Sequence, residues 1–195
     1  MTAQIEEAEK KEKLTSYEGM KGDLFVWLQA LMMCLVALIV IFTFCGRVVG
    51  VSGDSMYPTL HDGDMLLLRS AGYTPKQGDI VVLNKRSGVF SEPIVKRIIA
   101  VGGQTVSIDY EAGTVTVDGQ VLEDDYTAER MVFPSDPYLT IQEVTVPEGS
   151  VFVMGDNRNH SSDSRDQRLG TVDERYILGQ AVMVFFPFQD IRPLT

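Results

Sequence analysis

Leu24 to Cys45 reads LFVWLQALMMCLVALIVIFTFC, 22 residues without a charge. As a helix rising 1.5 Å per residue, such a run spans about 33 Å, close to the thickness of a bilayer's hydrocarbon core. A cleavable leader would have a shorter apolar centre and a small-residue exit, whereas Phe42, Phe44 and then Arg47 stand here. A core helix would carry more of a polar stripe than Gln29 and Thr43 provide. The run therefore predicts a single retained transmembrane helix over 24–45, between a tail over 1–23 and a larger part over 46–195. Lys10, Lys11, Lys13 and Lys21 precede the span, and Arg47 alone follows it until Arg69. That asymmetry predicts a cytoplasmic tail, with everything after Gly46 on the far side of a cell membrane.

The 195-residue chain has room for one compact domain beyond this anchor. Both cysteines, Cys34 and Cys45, fall in the apolar run, so the exported part has no disulfide framework. His61 and His160 are the only histidines and lie in no ligand-spaced cluster, which argues against a zinc site and against hydrolysis with a histidine base. No cofactor is expected. After the tail, 21 acidic residues face 13 basic ones, a poor surface for nucleic acid. The Glu- and Lys-rich tail carries no recognisable chemistry.

Past the anchor, short β-type runs alternate with Gly, Pro, Asp and Asn. They are Arg47–Val51, Asp64–Arg69, Asp79–Asn84, Ile94–Val101, Thr105–Ile108, Thr114–Val117, Val144–Val146, Ser150–Met154 and Gln180–Phe185. Strands so frequent, without helical periods between them, predict an antiparallel, mostly β architecture. Asp118-Gly119 between two such runs signals a type I′ hairpin. A helix is expected around Val172–Tyr176, and a short turn after Pro58.

Three segments could carry chemistry. In Ser52-Gly-Asp-Ser-Met-Tyr-Pro-Thr-Leu60, Gly53, Asp54 and Pro58 mark a turn, where a serine is usually a local hydrogen-bonder. A tight turn is also what a nucleophilic serine needs, because it exposes the hydroxyl and aims main-chain N–H groups at an oxyanion, with Gly53 permitting close approach. In Ile94-Val-Lys-Arg-Ile-Ile-Ala-Val101 two cations interrupt an apolar strand. Alternation puts Lys96 in a row with Ile94, Ile98 and Ala100, and Arg97 with Val95, Ile99 and Val101. Either this is an edge strand whose charges snorkel, or burial lowers a lysine pKa from about 10.4 towards neutrality and makes the amine a base. The third segment, Val153-Met-Gly-Asp-Asn-Arg-Asn-His-Ser-Ser-Asp-Ser-Arg165, is a strand running into a polar loop that reads either as a solvated turn or as a scaffold in which Ser161, Asp163 and Arg165 orient such an amine, and to which Asp156 and Arg158 could belong.

In that order, SGDSMYPTL, GDIV at Gly78–Val81, KRIIAVGG at Lys96–Gly103 and GDNRNHSSDSR at Gly155–Arg165 resemble the successive boxes of the type I signal peptidase family, with a likeness running from the anchor to Pro187. The resemblance implies Ser55 as nucleophile, Lys96 as general base, Ser161 holding the lysine amine, and Asp163 with Arg165 in support. Gly53 and Met56 flank the nucleophile in the same box. It implies an antiparallel β catalytic core over 46–195 with a small β extension at about 104–149. Gly53 stands where Gram-negative members carry an oxyanion-stabilising serine, so the compact Gram-positive form is the nearer likeness and the main-chain N–H of Ser55 is the expected oxyanion donor. The partners implied are secreted preproteins with small side chains at the first and third positions before the cut, the lipid bilayer, and the neighbourhood of the protein-export channel. Two other readings share some features. A self-cleaving Ser-Lys repressor would have a DNA-binding helix-turn-helix where this chain has its apolar run, and an inactive peptide-binding β module would have no need of Ser55 and Lys96 together.

Overall fold

The apolar run forms a helix, α1 (Gly22–Ile39), with none of its residues buried. The computed structural model describes residues 22–39, 47–85 and 92–194, so the end of the expected span, 40–45, lies outside the described residues, as does nearly all of the tail. The chain divides into two compact units, Met1–Phe44 and Cys45–Thr195.

The second unit is mostly antiparallel β, as its spacing of short apolar runs predicts. The strands are β1 (Arg47–Gly50), β2 (Met65–Arg69), β3 (Ile80–Leu83), β4 (Ile94–Val101), β5 (Thr105–Asp109), β6 (Thr114–Val117), β7 (Gln120–Val121), β8 (Glu143–Thr145), β9 (Ser150–Met154), β10 (Val172–Asp173), β11 (Ile177–Phe186) and β12 (Arg192–Pro193). The main sheet runs β1-β2-β11-β3-β4-β9-β10, with β12 also on β11. Register breaks in β4 and three times in β11 mark bulges, which bend strands and increase local twist. The second sheet, β7-β6-β5-β8, turns at Asp118 and Gly119, both with positive φ as a type I′ hairpin requires. It shares an apolar core with the main sheet, in which Val106, Val115 and Val117 pack with Ile99, Phe152 and Met154.

The helix expected at Val172–Tyr176 does not form. Val172 is buried and pairs with Val151, which makes it a strand residue, and only Glu174–Tyr176 make a single 3₁₀ turn before β11 begins. Asp173 caps that turn by accepting from the Arg175 N–H, and one turn is all the chain has room for. Strand β4 is not an edge. It lies between β3 and β9 and is buried along most of its length, so its two cations cannot reach water by snorkelling. The bulge after Ile98 also breaks the expected row, because Ile98 packs with Val81 and Val153 while Ala100 joins Ile99 in the other cluster.

Candidate active site

Lys96 is 3 % exposed and faces Val81 across the sheet. The pairing of β4 with β9 ends at Arg97 and Met154, and where the chain leaves β9 at Gly155 the Ser55 turn closes in. Lys96 Nζ is 2.7 Å from Ser55 Oγ and donates to the Val95 carbonyl at 2.9 Å. Burial pushes the Lys96 amine down to about 8, because hydrocarbon disfavours the charged form more than Asp163 and Asp156 favour it. At pH 7 roughly one such amine in ten is then uncharged, against about one in three thousand at the ordinary value of 10.5.

The turn that carries Ser55 is held at several points. Met56, buried among Val51, Leu60 and Val95, anchors it from below. The Asn157 N–H donates to Ser55 O at 3.1 Å, and its side-chain amide to Asp54 O at 3.1 Å. Gly53 has φ +80°, and a Cβ there would meet nothing within 4 Å. The left-handed backbone, not close approach, is therefore what this position asks of a glycine. At Gly155 the reverse holds, since a Cβ would collide with Ser161 Oγ and Ser55 O. Among the described residues the Ser55 N–H meets no protein acceptor.

Two buried ion pairs brace this arrangement. Asp163 takes both prongs of the Arg165 guanidinium at 2.8 Å and accepts the Gly155 N–H at 3.0 Å. Burial would raise the Asp163 carboxyl, but Arg165 overrides it and holds the group below its ordinary range. Arg97 donates to Asp156 through Nε at 2.9 Å and Nη2 at 2.7 Å, and through Nη1 to Gly78 O at 2.9 Å. Thr59 Oγ1 also donates to Asp156, at 2.5 Å. That carboxylate thus ties the serine segment and β4 to the loop after β9. Sequence reasoning gave Arg97 no function and left Thr59 and Asn157 out, since their partners lie far along the chain. Among the described residues the hydrogen bond expected between Ser161 and the amine is not made, and the buried Ser161 Oγ has no hydrogen-bond partner.

Beside Ser55 and Lys96 runs a cleft of about 300 Å³. Val49 to Ser52, Met56 and Glu92 to Val95 line it with them. Elsewhere, His61, Asp64 and Asp190 could turn ligand atoms to one point. Arg192 already pairs with Asp190 and lies 3.8 Å from Asp64.

Residues 24–186 match the family described as signal peptidase, peptidase S26. The chain is 35% identical over 179 residues to signal peptidase I of Bacillus licheniformis, covering 88% of this chain and 94% of that protein. It is 34% identical over 173 residues to signal peptidase I T of Bacillus subtilis, covering 85% and 87%. A crystal structure of a signal peptidase I from Enterococcus faecalis is 33% identical, with a TM-score of 0.44 over 55% of this chain and 97% of that one. The chain belongs to the signal peptidase family, peptidase S26, and is a signal-peptide-removing serine peptidase, a hydrolase of peptide bonds.

Proposed function

We propose that the reaction is acyl transfer by a Ser-Lys dyad. Neutral Lys96 takes the Ser55 hydroxyl proton as Oγ attacks the scissile carbonyl, and the resulting ammonium returns a proton to the leaving amine. The free amine then activates the water that hydrolyses the acyl-enzyme. The observation that carries this reading is the 2.7 Å contact between Ser55 Oγ and a lysine amine whose burial brings it down to about 8. Arginine could not replace it, because guanidinium keeps its proton.

The Ser55 N–H, free of any acceptor among the described residues, is the oxyanion donor in this scheme. A neutral amine that accepts from Ser55 and donates to Val95 O has one hydrogen left over. Ser161 Oγ, buried, without a partner among the described residues and packed against Gly155 beside Ser55 O, is the acceptor we assign to that hydrogen during turnover. Asp163 and Arg165 hold the loop that carries it.

The substrate is an extended segment of a translocated preprotein, laid in the cleft between the end of β1 and the start of β4. Its shallow apolar walls, Val49, Val51, Ile94 and Val95, suit small side chains before the cut. The helix α1, apolar and exposed, is the anchor in this reading, with the tail cytoplasmic and residues 46–195 outside, near where preproteins leave the export channel.

The direct test is cleavage of a labelled preprotein by detergent-solubilised full chain. Ser55→Ala, Lys96→Ala and Lys96→Arg should each abolish cutting in folded protein, because a dyad has no spare nucleophile or base. Turnover near the parental rate by any of the three would remove that residue from its role.

A further inference from the structure

Between β7 and β8 the chain runs without regular structure, yet it reaches the catalytic loop. Tyr126, half-buried in this connection, lays its ring over the guanidinium of Arg97, with Arg97 Cζ 4.0 Å from the ring centroid. Its hydroxyl accepts from Arg158 Nη2 at 3.4 Å, and Asp124, two residues before, accepts from Arg158 Nη1 at 2.6 Å. Arg158 in turn offers its carbonyl to Arg165 Nη2 at 2.7 Å. Burial pushes the Tyr126 hydroxyl up to about 12, so the ring remains a neutral phenol over a permanent cation.

The arginine it covers is the one whose partner, Asp156, also takes the Thr59 hydroxyl and precedes Asn157, the donor to Ser55 O. We propose that Tyr126 is a positioning residue of the active site: by capping the Arg97–Asp156 pair it keeps water off the joint that holds the Ser55 turn to the Lys96 strand. A face of Arg97 opened to water would let the fork to Asp156 loosen, and the Ser55 turn would lose its fixed distance from the amine. The cleft is lined by neither Tyr126 nor Arg97, so substrate binding should not register the change.

The inference rests on Ser55 and Lys96 as the reacting pair, and the test separates the two. The full chain in detergent is assayed against a labelled preprotein as Tyr126→Phe, Tyr126→Leu and Tyr126→Ala, with kcat expressed per folded molecule from thermal unfolding of each sample. Leucine keeps apolar bulk without a ring face, and phenylalanine keeps the face without the two long hydroxyl contacts, the one accepted from Arg158 at 3.4 Å and the one donated to Asp124 at 3.3 Å. Tyr126→Leu and Tyr126→Ala should lower kcat about tenfold or more with KM within about twofold, and Tyr126→Phe should recover most of the loss. Parental kcat in Tyr126→Leu, a change confined to KM, or a Phe variant as impaired as the Ala variant would overturn it. Normal Tyr126 variants beside a dead Ser55→Ala would sink only this inference. An active Ser55→Ala would instead remove the nucleophile itself.

Discussion

A methyl group at Gly155 would collide with Ser161 Oγ, Ser161 Cβ and Ser55 O, so an alanine there must displace the Ser55 backbone, the buried Ser161, or both. Displacements of about 1 Å at reacting groups cost on the order of 100-fold in rate. Gly155→Ala should therefore lower the single-turnover rate by about that factor while the cleft still binds substrate, as single-turnover and equilibrium binding measurements on the same sample would show. A rate within about threefold of the parent would mean that the Ser55 turn does not depend on this contact. Gly53 has a different reason to be glycine, its φ of +80°, and space around it is open. Two glycines that look alike in the sequence thus do different work, one through backbone conformation and one through absent volume.

Along β4 two neighbouring cations invite opposite predictions. Arg97 is paired in fork geometry, so Arg97→Ala strands the Asp156 carboxylate, 1 % exposed, and should cost about 3–5 kcal/mol in denaturant unfolding. Lys96 has a hydroxyl and a carbonyl as its hydrogen-bond partners and is destabilised as a cation by its surroundings, so Lys96→Met, which keeps length and removes charge, should leave stability unchanged or raised. An equal loss in both variants would show that the lysine is held as a structural cation. The sequence displayed this strand well: alternation and apolar flanks marked it, and two adjacent charges marked it as unusual. Whether it was an edge could not be read, because strand order depends on pairings with β3 and β9, the latter about fifty residues away. The bulge after Ile98 was equally invisible, since it arises from the partner's register. The resemblance singled out Ser55, Lys96, Asp163 and Arg165, and the structure brings Ser55 to Lys96 and Asp163 to Arg165. Thr59, Asn157 and the Asp156 crosslink were not, because nothing local distinguishes them from ordinary turn residues, and Val172–Tyr176 misled because its helix-compatible residues are claimed by pairing with β9.

For the whole molecule, the asymmetry of Lys10, Lys11, Lys13 and Lys21 against Arg47 supports the proposed orientation, with the tail cytoplasmic and residues 46–195 outside. Protease added outside spheroplasts should digest residues after Gly46 and spare an epitope placed in the tail. A protected second unit would invert the orientation and remove translocated preproteins from its reach. The proposed chemistry depends on the fraction of Lys96 that is uncharged, which burial enlarges by bringing the amine down to about 8. A protonated Lys96 cannot accept a serine proton, so the proposed mechanism requires the form that dominates above its pKa, which burial has brought down to about 8. The deciding measurement is kcat/KM for the full chain in detergent across pH 5 to 10, with a substrate whose own ionisation lies outside that range. It should rise about tenfold per pH unit at the acid end and level off above about 8. A limb centred near pH 4 with a flat profile above it would contradict the account, because a carboxylate would then be taking the proton assigned to Lys96.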